Sequence, residues 1–132
     1  MATITKVEDL EIWQLARIQT NDFDELVNNT PLAKNYELRN QKDASSGSVM
    51  DCIAEGFDRS RNSEFKNFLI IAKGSNGEFR SQLYRCFDRK HFTKEKFDEL
   101  HDKNVTLGNK MMAFITYLQN SSFKGQRYKN KE

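Results

Sequence analysis

Proline occurs once in this chain of 132 residues, at Pro31. Because proline removes a backbone donor and breaks helix interiors, its scarcity permits helices of unusual length on either side of that position. Apolar residues never run on for the ~20 positions that span a bilayer, and the mean hydropathy is −0.80. No N-terminal stretch joins a basic flank to an apolar segment of the signal-peptide kind. Together these absences lead us to expect a cytoplasmic protein with no membrane association. In that compartment the two cysteines read as reduced thiols.

What is present is helical rhythm. Phe97, Leu100, Asn104, Leu107, Met111, Phe114 and Leu118 follow one another at three- and four-residue steps, the pattern of a bundle seam. Three earlier stretches carry the same rhythm. The first runs from about Val7 to Asn28, with Ile12, Trp13, Ala16, Phe23, Leu26 and Val27 on its inner face. The second runs from the mid-thirties to about Phe57, with Leu38, Ala44, Val49, Ile53 and Phe57. The third follows a turn at Ser60–Ser63, with Phe65, Phe68, Leu69, Ala72, Phe79, Leu83 and Phe87. Gly74-Ser75-Asn76-Gly77 lies within it, but the apolar spacing stays in phase across those residues, so one continuous helix is expected. Thr93 can cap the fourth, which ends near Asn120. Short connections force antiparallel neighbours, so the fold class is all-α: an antiparallel up-down-up-down four-helix bundle with long helices over residues 1–120. Residues 121–132 form a basic tail without periodicity, expected to be disordered.

In such hairpins, distance from the turn sets height along the bundle. Trp13, Gly47, Ser75 and Gly108 then fall on one level, predicting a close-packed middle layer of small residues facing an indole. A glycine inside a helix costs about 1 kcal/mol relative to alanine, so Gly74 and Gly77 call for such a reason. The same arithmetic puts Cys52 and Cys86 roughly 25 Å apart at helical rise, beyond the ~7 Å reach of a disulfide.

Catalytic chemistry finds little support. Carboxylate-bridged metal centres in bundles need Glu-x-x-His pairs on two helices, whereas Asp98-Glu99-Leu100-His101 is a single copy flanking the seam. Neither cysteine has a histidine at its level, and no glycine-rich phosphate loop joins a strand to a helix. We therefore expect no catalytic residues, no metal and no cofactor. Glu55, in the last turn of the second helix, opposes the helix dipole and calls for a cation, which Arg59 supplies at i+4. Gly56 beside it allows close approach or the start of the helix exit.

Charge is polarised. Residues 1–32 carry two bases against six acids, a net of −4, while residues 33–90 carry eleven bases against eight acids, a net of +3. Arg59, Lys66, Lys73 and Arg80 recur every seven residues and form one stripe beside the third helix's seam, extended by Arg85 and Arg89. Such a row can track phosphates by charge neutralisation. The bland reading is a solvated flank, because Glu64, Glu78 and Asp88 interleave. Lys124 and Arg127 in the tail add positive charge, with Phe123 and Tyr128 available for base stacking. Apolar side chains off the main seams, Ile70, Ile71 and Tyr84 on the third helix and Val105, Met112 and Ile115 on the fourth, point to contact with another chain.

Three ordered motifs complete the reading: Asp9-Leu10-Glu11-Ile12-Trp13-Gln14; Ile53-Ala54-Glu55-Gly56-Phe57 with Arg59; and Phe65, Phe68-Leu69, Ile71-Ala72-Lys73-Gly74-Ser75 with Glu78. Across residues 7–118 the chain resembles the four-helix bundle proteins encoded in the intervening sequences of bacterial 23S rRNA genes, a family that includes accessory proteins of diversity-generating retroelements. The resemblance marks Trp13, Glu55, Gly56, Gly74 and Ser75 as structural motif positions. It implies a homo-oligomeric ring, a pentamer, with a non-enzymatic role and with RNA or a reverse transcriptase as partner. The alternative is a structural or adaptor ring that binds a protein without nucleic acid.

Overall fold

The apolar rhythms become four α-helices in a computed structural model, which describes residues 4–29, 36–59 and 61–121. They are α1 (Glu11–Asn28), α2 (Tyr36–Asp58), α3 (Asn62–Asp88) and α4 (Lys94–Asn120). Each helix packs on its chain neighbours, and α1 also packs on α4, closing a four-cornered bundle. Cross-helix bonds give the directions. Ser48 and Ser45 on α2 pair with Ser75 and Gln82 on α3. Arg80 and Tyr84 on α3 meet Asn104 and His101 on α4. Lys110 and Lys103 on α4 meet Glu11 and Asp22 on α1. In every pair one number rises as the other falls, so each contact is antiparallel.

Helix boundaries follow local chemistry. α1 begins at Glu11 rather than near Val7, because Val7–Asp9 form a single 3-10 turn and Leu10 is extended (φ −76°, ψ 128°). That break sends the Leu10 side chain into the core, fully buried, and Gln14 Nε2 ties the turn to α1 by donating to the Glu8 carbonyl at 2.9 Å. α3 is continuous through Gly74–Gly77. Thr93 caps α4, its Oγ1 accepting from the Lys96 amide at 3.2 Å.

All seven residues of the α4 seam are buried, and Gly108 and Ile115 join them. Other inner faces differ in detail. On α1, Trp13 is half-buried, the Arg17 guanidinium lying 5.8 Å from its ring centre, and Gln19 takes a fully inner position. On α2, Ala44 is exposed while Ser45 and Ser46 are buried. The Leu38 side chain and Pro31 lie outside the described residues. On α3, Phe68 and Phe87 are half-buried, whereas Asn76, Gln82 and Cys86 are buried.

Gln19 and Asn76 share a level with Asn104 of α4 and divide the core in two, whereas Ser45 and Gln82 pair with each other further along the bundle. One apolar cluster joins Leu10, Ile12 and Ala16 to Val49, Ile53 and Phe57, Phe65 and Leu69, and the second half of α4. The other joins Phe23, Leu26 and Val27 to Phe79, Leu83, Cys86, Phe97 and Leu100. Between them lies an amide layer. Asn104 Nδ2 donates to Gln19 Oε1 (2.8 Å), Asn76 Oδ1 (3.0 Å) and the Asn76 carbonyl (3.1 Å). Gln19 Nε2 donates to Asn76 Oδ1 at 3.0 Å, and Asn76 Nδ2 to the Asn104 carbonyl at 3.1 Å. Buried amides are tolerated when paired in this way.

The expected small-residue layer is thereby corrected. Ser75 bonds Ser48, next to Gly47, and a Cβ on Gly108 would stand 3.4 Å from Asn76 Nδ2, so these three positions do share a level. Trp13 does not: Gln19, six residues on, occupies that height on α1. α1 stops at Asn28 and α2 starts at Tyr36, which centres the reversal beyond Pro31 and moves the matching residue along α1. Nor is the layer close-packed throughout: Gly108 meets Asn76, but Gly47 and Gly74 have no neighbouring atom within 4 Å of an added Cβ. The tight approach occurs at Gly56, where a Cβ would stand 2.6 Å from Phe68 Cβ and 2.9 Å from Phe65 Cδ1. Cys52 borders one apolar cluster and Cys86 lies in the other, so the two are not joined.

Candidate nucleic-acid interface

Residues seven apart on a helix lie on nearly the same side, and Arg80 shows which side the cationic stripe takes. Its Nη1 donates to Asn104 Oδ1 at 3.3 Å, so the stripe borders α4. Lys66 and Lys73, two and one heptads earlier, continue it, and among the described residues neither has a carboxylate within ion-pair distance. Arg80 has none either; its one polar partner is an amide oxygen.

The other candidate cations part from this row. Arg59 pairs with Glu55 at 3.6 Å, the i+4 pair expected at the end of α2, and lies 5.3 Å from the Phe68 ring centre. Arg85 lines a shallow surface hollow with Glu78, Ser81 and Gln82 of α3 and Ala44 of α2, on the flank away from α4. The interleaving acid Glu78 sits on that flank too and leaves the Lys66–Lys73–Arg80 row alone. Arg89 ends α3 and lies beside His91 in the turn. Lys124, Arg127, Phe123 and Tyr128 fall outside the described residues.

The off-seam apolar residues also sort themselves. Ile70 (50% exposed), Ile71 (54%), Tyr84 (48%) and Met112 (47%) are open, and Val105 is half-buried. Ile115 is 3% exposed and belongs to the core. It follows Gly108 by seven residues on the arc of α4 that turns towards α3, so the buried arc is wider than a single seam and Ile115 is not available to a partner. Ile70 lies between Lys66 and Lys73 at i+4 and i−3, so it shares the α4-facing side with the cations, whereas Ile71, seven residues before Glu78, lies on the other flank.

His101 and Tyr84 form a cluster that the separate readings of the two residues missed. Tyr84 Oη and His101 Nε2 share a hydrogen bond at 3.3 Å, and both rings pack on Phe97, with centroids 4.8 and 5.4 Å away. Their spacing is i+4 from Arg80 and i−3 from Asn104, so a rung pairing could have been found once α3 and α4 were set antiparallel. Asp98 and Glu99 are held on the surface by Lys94 at 2.9 Å and Lys96 at 3.3 Å. The Lys96 ammonium holds the Glu99 carboxyl below its usual range, and the Asp98 hydrogen bond raises Lys94. Among the described residues no three His, Cys, Asp or Glu side chains converge to hold a metal ion, and no helix is long and apolar enough to cross a membrane.

The family profile described as "23S rRNA-intervening sequence protein" matches residues 8–113. The chain belongs to this family. Among solved structures, the chain is similar to a crystal structure from Bacteroides thetaiotaomicron, described as a protein of unknown function from the S23 ribosomal protein family. The two share a TM-score of 0.68 at 21% identity, over 83% of this chain and 97% of the other. At that identity the likeness concerns the fold. No curated protein matches the sequence. The matched span encloses the tight α2–α3 approach at Gly56, the Glu55–Arg59 pair, the amide layer and the Lys66–Lys73–Arg80 row.

Proposed function

We propose that this protein is a non-enzymatic, cytoplasmic, self-associating bundle that binds RNA or a ribonucleoprotein partner through the α4-facing side of α3. The observation that carries the reading is the Lys66–Lys73–Arg80 row, three cations on one side of one helix to which no acid is paired among the described residues. Unpaired surface cations in register neutralise successive phosphates and release counterions, which makes binding salt-dependent. Self-association through Ile70, Ile71 and Met112, which a ring of copies would cover, repeats the row and raises avidity without any new contact. The resemblance to ring-forming relatives makes a pentamer the expected assembly.

The test is RNA retention by the purified protein before and after nuclease treatment, with its mass followed by sedimentation. We expect bound RNA that nuclease removes, an oligomer that persists afterwards, and a shift towards monomer in Ile70→Asp/Met112→Asp. A monomer that retains no RNA contradicts the proposal. Because Ile70 sits among the cations, the adaptor reading stays the second choice, and a protein partner that nuclease leaves bound to this face would favour it.

A further inference from the structure

An exposed aromatic ring normally swings freely, but Tyr84 is half open and yet fixed. Its ring packs at a steep angle against Phe97 and His101, 4.8 and 5.6 Å between centroids, and its hydroxyl shares a hydrogen bond with His101 Nε2 at 3.3 Å. Phe97 is itself held in place by Phe87 and Phe92, at 4.9 and 6.4 Å. A ring already immobilised loses little entropy on stacking against a ligand. One turn earlier on the same face, Arg80 is also fixed, because its Nη1 donates to Asn104 Oδ1, whose own amide is locked in the buried layer. The other guanidinium N–H groups have no protein acceptor among the described residues. Arg80–Asn104 and Tyr84–His101 are thus neighbouring rungs across the α3/α4 groove, about 6 Å apart along α3. A planar platform and a rigid cation at that separation match the base and phosphate of one nucleotide unit.

We propose that Tyr84 and Arg80 form a nucleotide subsite for a single-stranded polynucleotide, the base stacking on the open side of Tyr84 and its phosphate lying on Arg80. The site rests on the nucleic-acid reading above and narrows it. A duplex keeps its base faces hidden, whereas a single strand can offer one to an aromatic side chain. Lys73 and Lys66, further along the row, would take phosphates beyond the stacked unit.

Fluorescence anisotropy with a dye-labelled oligouridine of ten nucleotides, its abasic counterpart and an RNA duplex tests this. We expect Tyr84→Ala to bind oligouridine about tenfold more weakly, to bind the abasic strand and the duplex as the wild type does, and to melt as a folded bundle. Tyr84→Phe keeps the ring, loses the His101 bond and should retain binding. If Tyr84→Ala and the wild type bind oligouridine equally, with salt-dependent affinity, the subsite is overturned and the nucleic-acid reading stands. If the wild type binds none of the three strands, both fall.

Discussion

Asn76 of α3 and Asn104 of α4 bond each other reciprocally, each side-chain Nδ2 donating to the other's backbone carbonyl at 3.1 Å. In a helix those carbonyls already accept a main-chain bond, so each amide uses the second lone pair of its neighbour and clamps the two helices at one register. Gln19 closes the set from α1. An amphipathic bundle can slide by a turn and still bury apolar residues, whereas sliding here would strand three buried amides.

Removing one member should therefore cost more than its own bonds. Asn104→Ala leaves Gln19 Oε1 short of its donor and frees Arg80, and we expect a loss of roughly 2–4 kcal/mol in urea unfolding. Replacing Gln19, Asn76 and Asn104 together by Met, Leu and Leu should cost less than the sum of the three single changes, because no orphaned amide remains. Additive losses would contradict the network.

Two glycines in helices should respond to alanine with opposite sign. Gly74 has open space where a Cβ would go, so Gly74→Ala should stabilise by about 0.5–1 kcal/mol through helix propensity. At Gly56 the added carbon collides with Phe68 Cβ on the facing backbone. Overpacking of roughly 1–3 kcal/mol outweighs the same propensity gain there, and urea midpoints of the two variants should move apart.

Lys90 adopts a left-handed conformation at φ 62°. It closes α3 in a Schellman turn, with the Lys90 amide bonding the Phe87 carbonyl at 2.9 Å and the His91 amide bonding that of Cys86 at 3.0 Å. A side chain at this position bears the steric cost of left-handed backbone, about 1 kcal/mol. Lys90→Gly should raise stability by a similar amount, read from the shift in denaturation midpoint.

His91 gives a pH signature. Burial, with the Arg89 guanidinium beside it, holds its imidazole below the usual value of 6.5, and its Nε2 is enclosed without a hydrogen-bond partner. The folded state thus binds fewer protons here than the unfolded chain. Its contribution is complete above pH 6.5 and declines as pH falls from there through the lower folded-state value. Thermal melts of His91→Gln and wild type should agree in sensitivity above neutrality and diverge on acidification, the wild type losing more.

The bundle itself was readable from the chain because α4 obeys its period without exception and α3 keeps phase across Gly74–Gly77. The amide layer was not. Asn104 was legible as a seam position, but its partners Gln19 and Asn76 were not, because a polar residue off the apolar stripe reads as solvated until its partner on another helix is known. Ile115 was misread for a related reason: a single seam undercounts the buried arc of a corner helix, which faces two neighbours. The cationic row was visible in the heptad spacing, and the two-residue step from Glu78 to Arg80 already turns that acid to another side of the helix; which neighbour the row borders was not, because that depends on the Arg80–Asn104 contact. Tyr84 and His101 are distant in sequence, and only the antiparallel register joins them.

The most direct test of the account is the dependence of single-stranded RNA affinity on salt, compared between the wild type and Lys66→Gln/Lys73→Gln/Arg80→Gln. Three phosphate contacts predict a slope of log affinity against log salt that is shallower in the variant by about 2 per protomer. An unchanged slope, or wild-type binding that salt does not weaken, would contradict the assignment of this face to nucleic acid.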